Sequence, residues 1–271
     1  MKFRIGFAAE QTENSPVQPD LAATKRASAP RRSVVQVQFE GQSRALAYYN
    51  DQFDLQCGDR VYVDGKLEGK LGRVTAVEYN FRIRLSDYRR VIALVDTEVH
   101  GQFFQAGSHL VTFDRAALPP EKAVLWFKAP EKEDEVFISG RDEEECGFLL
   151  ENPHELGASP AVWARGEQYY LENRVRYFCI DGTNGYAIVE GTQAYEVEFQ
   201  LQDWTIKAMV CGCPCCGACK HEVAVLLQLR ETLEEIGQSW EENGFFAAID
   251  KVSFFRFAMN GKRTGGSLTM E

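Results

Sequence analysis

The sequence predicts an α+β protein in which a small β-barrel is followed by a mixed module of β-sheet and helix. Between residues 34 and 115, short segments of alternating apolar and polar residues are separated by Gly and Asp turns. Between residues 158 and 240, further strand-like runs precede one long amphipathic helix. Five of the eight cysteines and one of the four histidines lie together in residues 211–221, and this crowding predicts a metal site.

The composition narrows the classes of function. The chain has 271 residues, of which 45% are hydrophobic, so it can bury a sizeable core and is long enough for two or three modules. Its net charge of −10 argues against a bulk attraction to nucleic acid or anionic membranes, so nucleic-acid binding would need a local basic patch.

No apolar run approaches the ~20 residues that span a bilayer. The start, MKFRIGFAAEQ, is too short and interrupted in its apolar part for a signal peptide. We therefore expect no membrane contact and a cytoplasmic protein with reduced thiols.

Residues 1–33 predict a first strand and a flexible linker. The segment 9–33 lacks apolar periodicity and is rich in Pro, Ser, Ala and Thr. It carries a small basic cluster that could contact an anionic partner, although a solvated linker is the simpler interpretation. This cluster consists of Lys25, Arg26, Arg31 and Arg32.

Residues 34–115 predict a small β-barrel. In SVVQVQFE, the apolar residues Val35, Val37 and Phe39 alternate with polar ones, and four more strand-like segments follow before residue 96. The segments GDRVYV and GRVTAV resemble the SH3-like barrels of the KOW and Tudor kind, which implies either nucleic-acid or peptide binding or a structural role. A candidate patch for an anionic ligand lies near the last hairpin, at Arg82, Arg84, Arg89 and Arg90.

Residues 116–157 predict a connector. PPEKAVLWFK favours a short helix or strand, and EKEDEVFISGRDEEEC is a strongly acidic, solvated segment. The histidines before the cysteine cluster, His100, His109 and His154, have no second ligand type at metal spacing. We expect them to be exposed or hydrogen-bonded.

The segments after residue 157 predict a helix, strands, a second helix and a hairpin. Ser159 and Pro160 fit the N-cap and first residue of a helix. Three strand-like runs follow, RVRYFCIDG, GYAIVEG and YEVEFQLQDWTIKAMVCGC, and then HEVAVLLQLRETLEEIGQSW predicts a helix ending near Gly237. We interpret residues 241–271 as a C-terminal extension ending in a β-hairpin at Asn260-Gly261.

The cysteine cluster has four candidate chemistries: disulfides, a redox pair, catalysis and metal binding. Cysteines one or two residues apart are poor disulfide partners and, in a reducing compartment, more often bind metal. A thioredoxin-type pair normally sits in a βαβ unit, an alternation that this sequence lacks. The scattered Cys57, Cys146 and Cys179 are typical of ordinary thiols.

Metal spacing selects four of the clustered residues. Cys211 and Cys213 close a strand, where residues two apart point to the same side. Cys219 and His221 open the next helix, whose positive end favours thiolates. Three thiolates and one imidazole form a closed tetrahedral set for a structural Zn²⁺, with no position left for a catalytic water.

At these residues the chain resembles the SWIM zinc-finger family, whose pattern is C-x-C, a variable spacer and C-x-H. Proline usually follows the second Cys, as in Cys213-Pro214, and Lys stands between Cys and His, as in Cys219-Lys220-His221. The likeness covers about residues 158–236 and implies a structural zinc and contact with DNA or another protein. The five-residue spacer departs from the family because it is short and contains two more cysteines. Cys215 and Cys216 could replace a ligand, pack beside the sulfurs or remain free.

The sequence favours a non-enzymatic role. HEVAV lacks the second His of H-E-x-x-H because Val225 stands there, and no nucleophile elbow or P-loop occurs. The hypotheses are an adaptor that contacts DNA or protein, an assembly subunit that contacts only protein, and an enzyme with an unrecognised pocket. The predicted second helix carries acids on its wetter side, unlike a reader of the major groove. The aromatic pairs that could stack on bases, but are more typical of a core, are Tyr169-Tyr170 and Phe254-Phe255.

Overall fold

A computed structural model describes residues 3–5, 31–81, 88–130, 147–237, 239–259 and 268–270. These residues divide into two compact units. The barrel unit contains residues 31–81 and 88–96, and the cluster unit contains the described residues from 97 to 259 with the two terminal strands. Each unit has a hydrophobic core of its own.

The described elements are mainly strands, with helices confined to the cluster unit. In chain order the strands are β1 (Phe3–Ile5), β2 (Ser33–Phe39), β3 (Leu46–Asn50), β4 (Arg60–Val63), β5 (Gly72–Glu78), β6 (Val91–Val95), β7 (Gly101–Ala106), β8 (His109–Thr112), β9 (Phe148–Leu149), β10 (Val175–Asp181), β11 (Asn184–Glu190), β12 (Ala194–Gln202), β13 (Thr205–Cys211), β14 (Phe245–Asp250) and β15 (Leu268–Met270). The α-helices are α1 (Pro120–Phe127), α2 (Pro160–Leu171), α3 (Lys220–Ile236), α4 (Ser239–Asn243) and α5 (Lys251–Phe254). A 3-10 turn at Pro153–Leu156 and a π-helical turn at Phe255–Met259 complete the set. None of the described helices is both long and apolar enough to cross a bilayer.

The barrel unit is one antiparallel sheet of five described strands in the order β3-β2-β5-β4-β6. A strand occurs in each of the five segments that the alternation predicts. The outer strands approach each other at a bridge between Tyr49 and Arg90, where the Tyr49 N–H donates to the Arg89 carbonyl over 2.8 Å. Val35 and Val37 of β2 are fully buried, as their spacing requires. The mixed class of the protein is confirmed, whereas an SH3-like barrel stays a prediction.

The cluster unit is built on a sheet of ten described strands in the order β1-β15-β7-β8-β14-β10-β11-β12-β13-β9. Neighbours are antiparallel except β7 and β15, which are parallel. Helix α3 packs against α2 and buries Leu226, Leu229 and Leu233 in the same core as β10 to β13. Helix α2 begins and helix α3 ends at the residues that the sequence predicts. Ser159 caps α2 by accepting from the Val162 N–H, and Gly237 with φ 58° ends α3.

Three features differ from the sequence-based description. The strands β7 and β8, which the sequence grouped with the barrel up to residue 115, pair within the ten-stranded sheet, because β8 adds to the apolar strand β14. The long third run of 195–213 is two strands, since Asp203 and Trp204 take positive φ values of 48° and 60° and turn the chain. The stretch 251–259, read as part of a hairpin, is helical, and the Asn260-Gly261 turn lies outside the described residues.

Candidate metal centre

The four predicted ligands come from the end of a strand, a loop and the start of a helix. Cys211 is the last residue of β13, opposite Val197 of β12, and the Gly212 N–H extends this pairing by donating to the Glu196 carbonyl over 2.9 Å. Cys213 follows in the loop. Pairing with β12 therefore fixes the first half of the site to the sheet.

The second half of the site is fixed to α3. Cys219 is the N-cap residue, and its backbone N–H donates to the Glu222 carboxylate over 2.7 Å. This is the reciprocal half of a capping box, here with Cys in the place of Ser or Thr. Gly217, with φ 92°, lies in this loop in a backbone conformation that glycine adopts readily and other residues rarely do. His221 then lies in the first turn of the helix.

These four side chains converge. The Sγ atoms of Cys211, Cys213 and Cys219 and a ring nitrogen of His221 all lie within 4.8 Å of one another. The His221 Nδ1 is 3.5 Å from the Cys211 sulfur and 3.7 Å from the Cys219 sulfur. The cluster is thus close enough to bind a metal ion.

Aromatic rings hold the His221 imidazole in place. The ring of Tyr195 stacks on it with centroids 4.5 Å apart and 23° between the planes, and Tyr169 meets it edge-on at 5.5 Å. The Nε2 atom is buried, has no hydrogen-bond partner among the described residues, and lies 3.3 Å from the place where a Cβ on Gly191 would sit. Nδ1 is therefore the nitrogen presented to the sulfurs. The ammonium of Lys220 lies 4.5 Å from the centroid of the Tyr169 ring, beside the cluster.

The thiols influence one another strongly. A hydrogen bond from the Cys211 thiol, helped by His221 and the Glu222 N–H, holds the pKa of Cys219 well below its ordinary value. The same bond and burial raise the pKa of Cys211, and burial raises the pKa of Cys213 to about 11. One thiolate is thus favoured beside two protonated sulfurs. A bound cation would have to displace the remaining protons, because metals bind thiolates.

The other thiols lie outside this group. Cys215 and Cys216 are exposed, as is Cys57, and Cys179 is buried in β10. Neither Cys215 nor Cys216 belongs to the group of four converging side chains. Cys146 lies outside the described residues.

The other candidates from the sequence that the structure describes lie outside the group of four converging side chains. Arg90 donates its N–H to Asp64 and forms a 3.6 Å ion pair with Asp51, while Arg82 and Arg84 lie outside the described residues. The guanidinium carbon of Arg31 lies 4.4 Å from the centroid of the Tyr79 ring. Four of the remaining candidates are exposed: Arg32, Arg89, His100 and His154. His109 and Phe254 are buried, Tyr170 is partly buried, and Phe255 is 38% exposed. Lys25 and Arg26 lie outside the described residues.

A cleft of about 260 Å³ lies near the site, between α1, the β11–β12 turn and α5. The charged side chains that line this cleft, Arg176 and Glu190, already form an ion pair with each other. Arg176 donates to Glu190 over 2.6 Å and lies 3.3 Å from the buried carboxylate of Asp250. The cleft also contains the backbone of Gly191.

Sequence reasoning missed the residues that support the ligands. Glu222 follows Cys219 by three positions, and this capping-box spacing was a usable signal despite the unusual cap residue. Tyr195 and Gly191 come from another strand and a turn, so no local pattern links them to His221.

The fold and the cluster together define a protein with a Cys₃His group able to hold a metal ion. Comparison of the chain with protein-family models, with curated proteins and with solved structures finds no match.

Proposed function

We propose that the chain is a zinc protein of SWIM type that acts as a non-enzymatic adaptor contacting DNA or another protein. Cys211, Cys213, Cys219 and His221 hold one structural Zn²⁺. The observation that carries this proposal is the convergence of these four donor atoms within 4.8 Å.

The donor set and its spacing favour zinc. Zn–S bonds of about 2.3 Å and Zn–N bonds of about 2.0 Å, set at a tetrahedral angle, put nitrogen and sulfur about 3.5 Å apart. The His221 Nδ1 lies 3.5 and 3.7 Å from two of the sulfurs. Four protein ligands complete a tetrahedron and leave no position for a reacting water, so the ion is structural rather than catalytic.

The position of the ligands explains what the ion contributes. It joins the end of β13 to the first turn of α3, and the loop between them has little apolar burial of its own. Pro214, Cys215, Cys216 and Gly217 are all exposed. Zinc binding is then coupled to folding, with an apparent free energy on the order of 10 kcal/mol.

The surface of α3 favours a protein partner over groove reading by this helix. Most of its residues are buried, and the exposed ones are Glu234 and Glu235. A helix that reads bases in the major groove needs exposed Arg, Lys, Asn or Gln side chains. Any DNA contact would therefore use another surface. An assembly subunit that binds only protein is the second candidate, supported by this acidic face and by the net charge of −10.

Metal analysis of the purified chain tests the proposal. We expect one zinc per chain, and we expect Cys211→Ser and His221→Ala to lose the zinc and to unfold at lower temperature because each removes a ligand. Cys216→Ser is the matched control, since it removes an exposed thiol of the same loop, and it should keep the metal. Protein without stoichiometric zinc, or ligand variants of unchanged stability, would refute the proposal.

Binding at two salt concentrations separates the two candidate partners. An adaptor that contacts DNA should bind duplex DNA with an affinity that falls steeply as salt rises, because binding releases counterions. Absence of binding at low salt would favour the subunit that contacts only protein.

A further inference from the structure

We infer that Gly191, in the turn between β11 and β12, and Tyr195, near the start of β12, are positioning residues of the metal centre. They hold the imidazole of His221 so that Nδ1 is its ligating atom and Nε2 keeps its proton. Because it concerns a ligand, this inference rests on the proposed zinc site, to which it adds two residues from outside the ligand loop.

Tyr195 covers one face of the His221 imidazole. The two rings stack with their centroids 4.5 Å apart and 23° between their planes, and His221 is only 2% exposed. The Tyr195 hydroxyl lies 2.9 Å from the Thr192 hydroxyl, and the Gly191 N–H donates to the Gln193 carbonyl over 2.8 Å. The stacked ring is therefore tied to the turn that carries Gly191.

Gly191 lies beside the edge of the imidazole that carries Nε2. A Cβ on Gly191 would lie 2.8 Å from Cε2 of the Tyr195 ring and 3.3 Å from Nε2 of His221. Carbon atoms pack at about 3.5–4.0 Å, so a side chain at this position would push the two rings away. The backbone does not itself demand glycine, because the φ of Gly191 lies outside the left-handed region. Glycine is thus required here by the closeness of the two rings.

This packing takes the place of the hydrogen bond that usually orients a metal-bound histidine. A ligating imidazole normally donates its other ring N–H to a carboxylate, a carbonyl or a water. Within the described part of the chain, Nε2 of His221 is buried and has no such partner. Nδ1 lies 3.5 Å from the Cys211 sulfur and 3.7 Å from the Cys219 sulfur. A neutral imidazole has one unprotonated nitrogen, so Nδ1 binds the ion and the N–H at Nε2 stays beside Gly191.

Competitive zinc titration of the full-length chain tests the positioning. We expect Gly191→Ala and Tyr195→Ala each to weaken zinc binding about tenfold, as the loss of a group that orients a metal ligand does. Gln193→Ala is the matched control and should bind zinc as the wild type does. It changes an exposed side chain of the same turn and keeps the main-chain carbonyl that accepts from Gly191.

A double variant distinguishes positioning from a general loss of stability. The methyl group of Gly191→Ala conflicts mainly with the Tyr195 ring, so removal of the ring relieves the conflict. We therefore expect Gly191→Ala/Tyr195→Ala to bind zinc as well as Tyr195→Ala alone, whereas two independent losses would add. If Gly191→Ala does not fold, Tyr195→Ala decides, because it introduces no clash.

Nuclear magnetic resonance of the zinc-loaded chain with ¹⁵N-labelled histidine identifies the ligating nitrogen. We expect the proton of the His221 ring on Nε2 and the metal-induced shift on Nδ1. Zinc content of the wild type tests the proposed function, and a wild type without zinc would overturn that function and this inference together. Zinc bound through Nε2, additive losses in the double variant, equal weakening by Gln193→Ala, or wild-type affinity in Tyr195→Ala would overturn this inference alone and leave the zinc site in place.

Discussion

Two buried histidines of the cluster unit differ in what surrounds their ring nitrogens. His221 presents Nδ1 to two sulfurs and leaves Nε2 without a partner among the described residues. His109 has partners on both sides, since Nε2 lies 2.8 Å from the Val175 carbonyl and Nδ1 lies 3.0 Å from the Ser108 hydroxyl. A carbonyl only accepts, so Nε2 of His109 carries the proton and Nδ1 accepts from the hydroxyl. His109 thus has a hydrogen-bond partner at each ring nitrogen and a structural role.

The burial of His109 makes the protein sensitive to acid. Desolvation lowers the pKa of His109 to about 4, outweighing the Val175 carbonyl and Asp250, which raise it. Nearby Arg176 and Lys251 lower it further. The imidazole of His109 takes up a proton near pH 6.5 in the unfolded chain but only near pH 4 in the folded chain. The contribution of His109 to the free energy of unfolding is therefore complete above pH 6.5 and is lost as the pH falls from 6.5 to about 4. We expect this residue to account for a loss of about 2 kcal/mol in the free energy of unfolding between about pH 7.5 and about pH 5.

Denaturant unfolding at both pH values measures this loss. His109→Gln keeps a donor for the Val175 carbonyl but has no charge to gain, so its loss should be smaller than that of the wild type by the stated amount. Metal binding at the proposed site would also weaken in acid, because thiolates take up protons, and the variant retains that contribution. Equal losses in the two proteins would show that His109 does not titrate in this range.

At the scale of elements, the contact between α2 and α3 depends on Gly166. A Cβ built on this residue would lie 2.4 Å from Val223 and 3.0 Å from the Lys220 carbonyl, the residues that flank His221 in the first turn of α3. Glycine costs about 1 kcal/mol relative to alanine inside a helix, so its presence here reflects the close approach. His221, the candidate metal ligand on α3, lies in the turn that makes this contact.

Gly166→Ala should therefore destabilise the protein despite its better helix propensity. We expect a loss of about 1–3 kcal/mol from overpacking and weaker zinc binding, because the first turn of α3 must shift. Ala164→Gly, at an exposed position of the same helix, is the control. It should cost about 1 kcal/mol from propensity and leave zinc affinity unchanged. Thermal unfolding and a competitive zinc titration check both effects, and a stabilised Gly166→Ala would contradict the close packing.

The sequence predicted the elements whose pattern is local. Alternation was sufficient to predict β2, the Ser159 cap to predict the start of α2, and apolar spacing to predict α3. The C-x-C and C-x-H pairs indicated the four side chains that converge. Strand β14 was missed because FFAAID is buried on both faces between β8 and β10, so nothing alternates along it. The pairing of β15 with β1 and β7 joins distant segments, and the turn at Asp203-Trp204 lacks the usual glycine. Such features depend on tertiary contacts.

At the scale of the whole molecule, the two units have separate cores and unequal means of stabilisation. The barrel unit relies on apolar burial around residues such as Val37, which is fully buried. The cluster unit has a larger apolar core and contains all four converging donor side chains. A metal ion that binds only the folded cluster unit stabilises that unit, because binding to the native state shifts its unfolding equilibrium.

Removal of the metal should therefore act on only one of two unfolding transitions. In differential scanning calorimetry of the full chain, we expect a strong chelator to lower the melting temperature of the cluster unit and leave the other transition in place, as His221→Ala should also do. Val37→Ala is the complementary change. By deleting buried methyl groups it should cost the barrel unit about 2 kcal/mol and lower its transition by several degrees without altering the response to the chelator. One transition that both treatments move together would mean that the units unfold as a single cooperative body, and the stabilisation by metal would then extend beyond the unit that binds it.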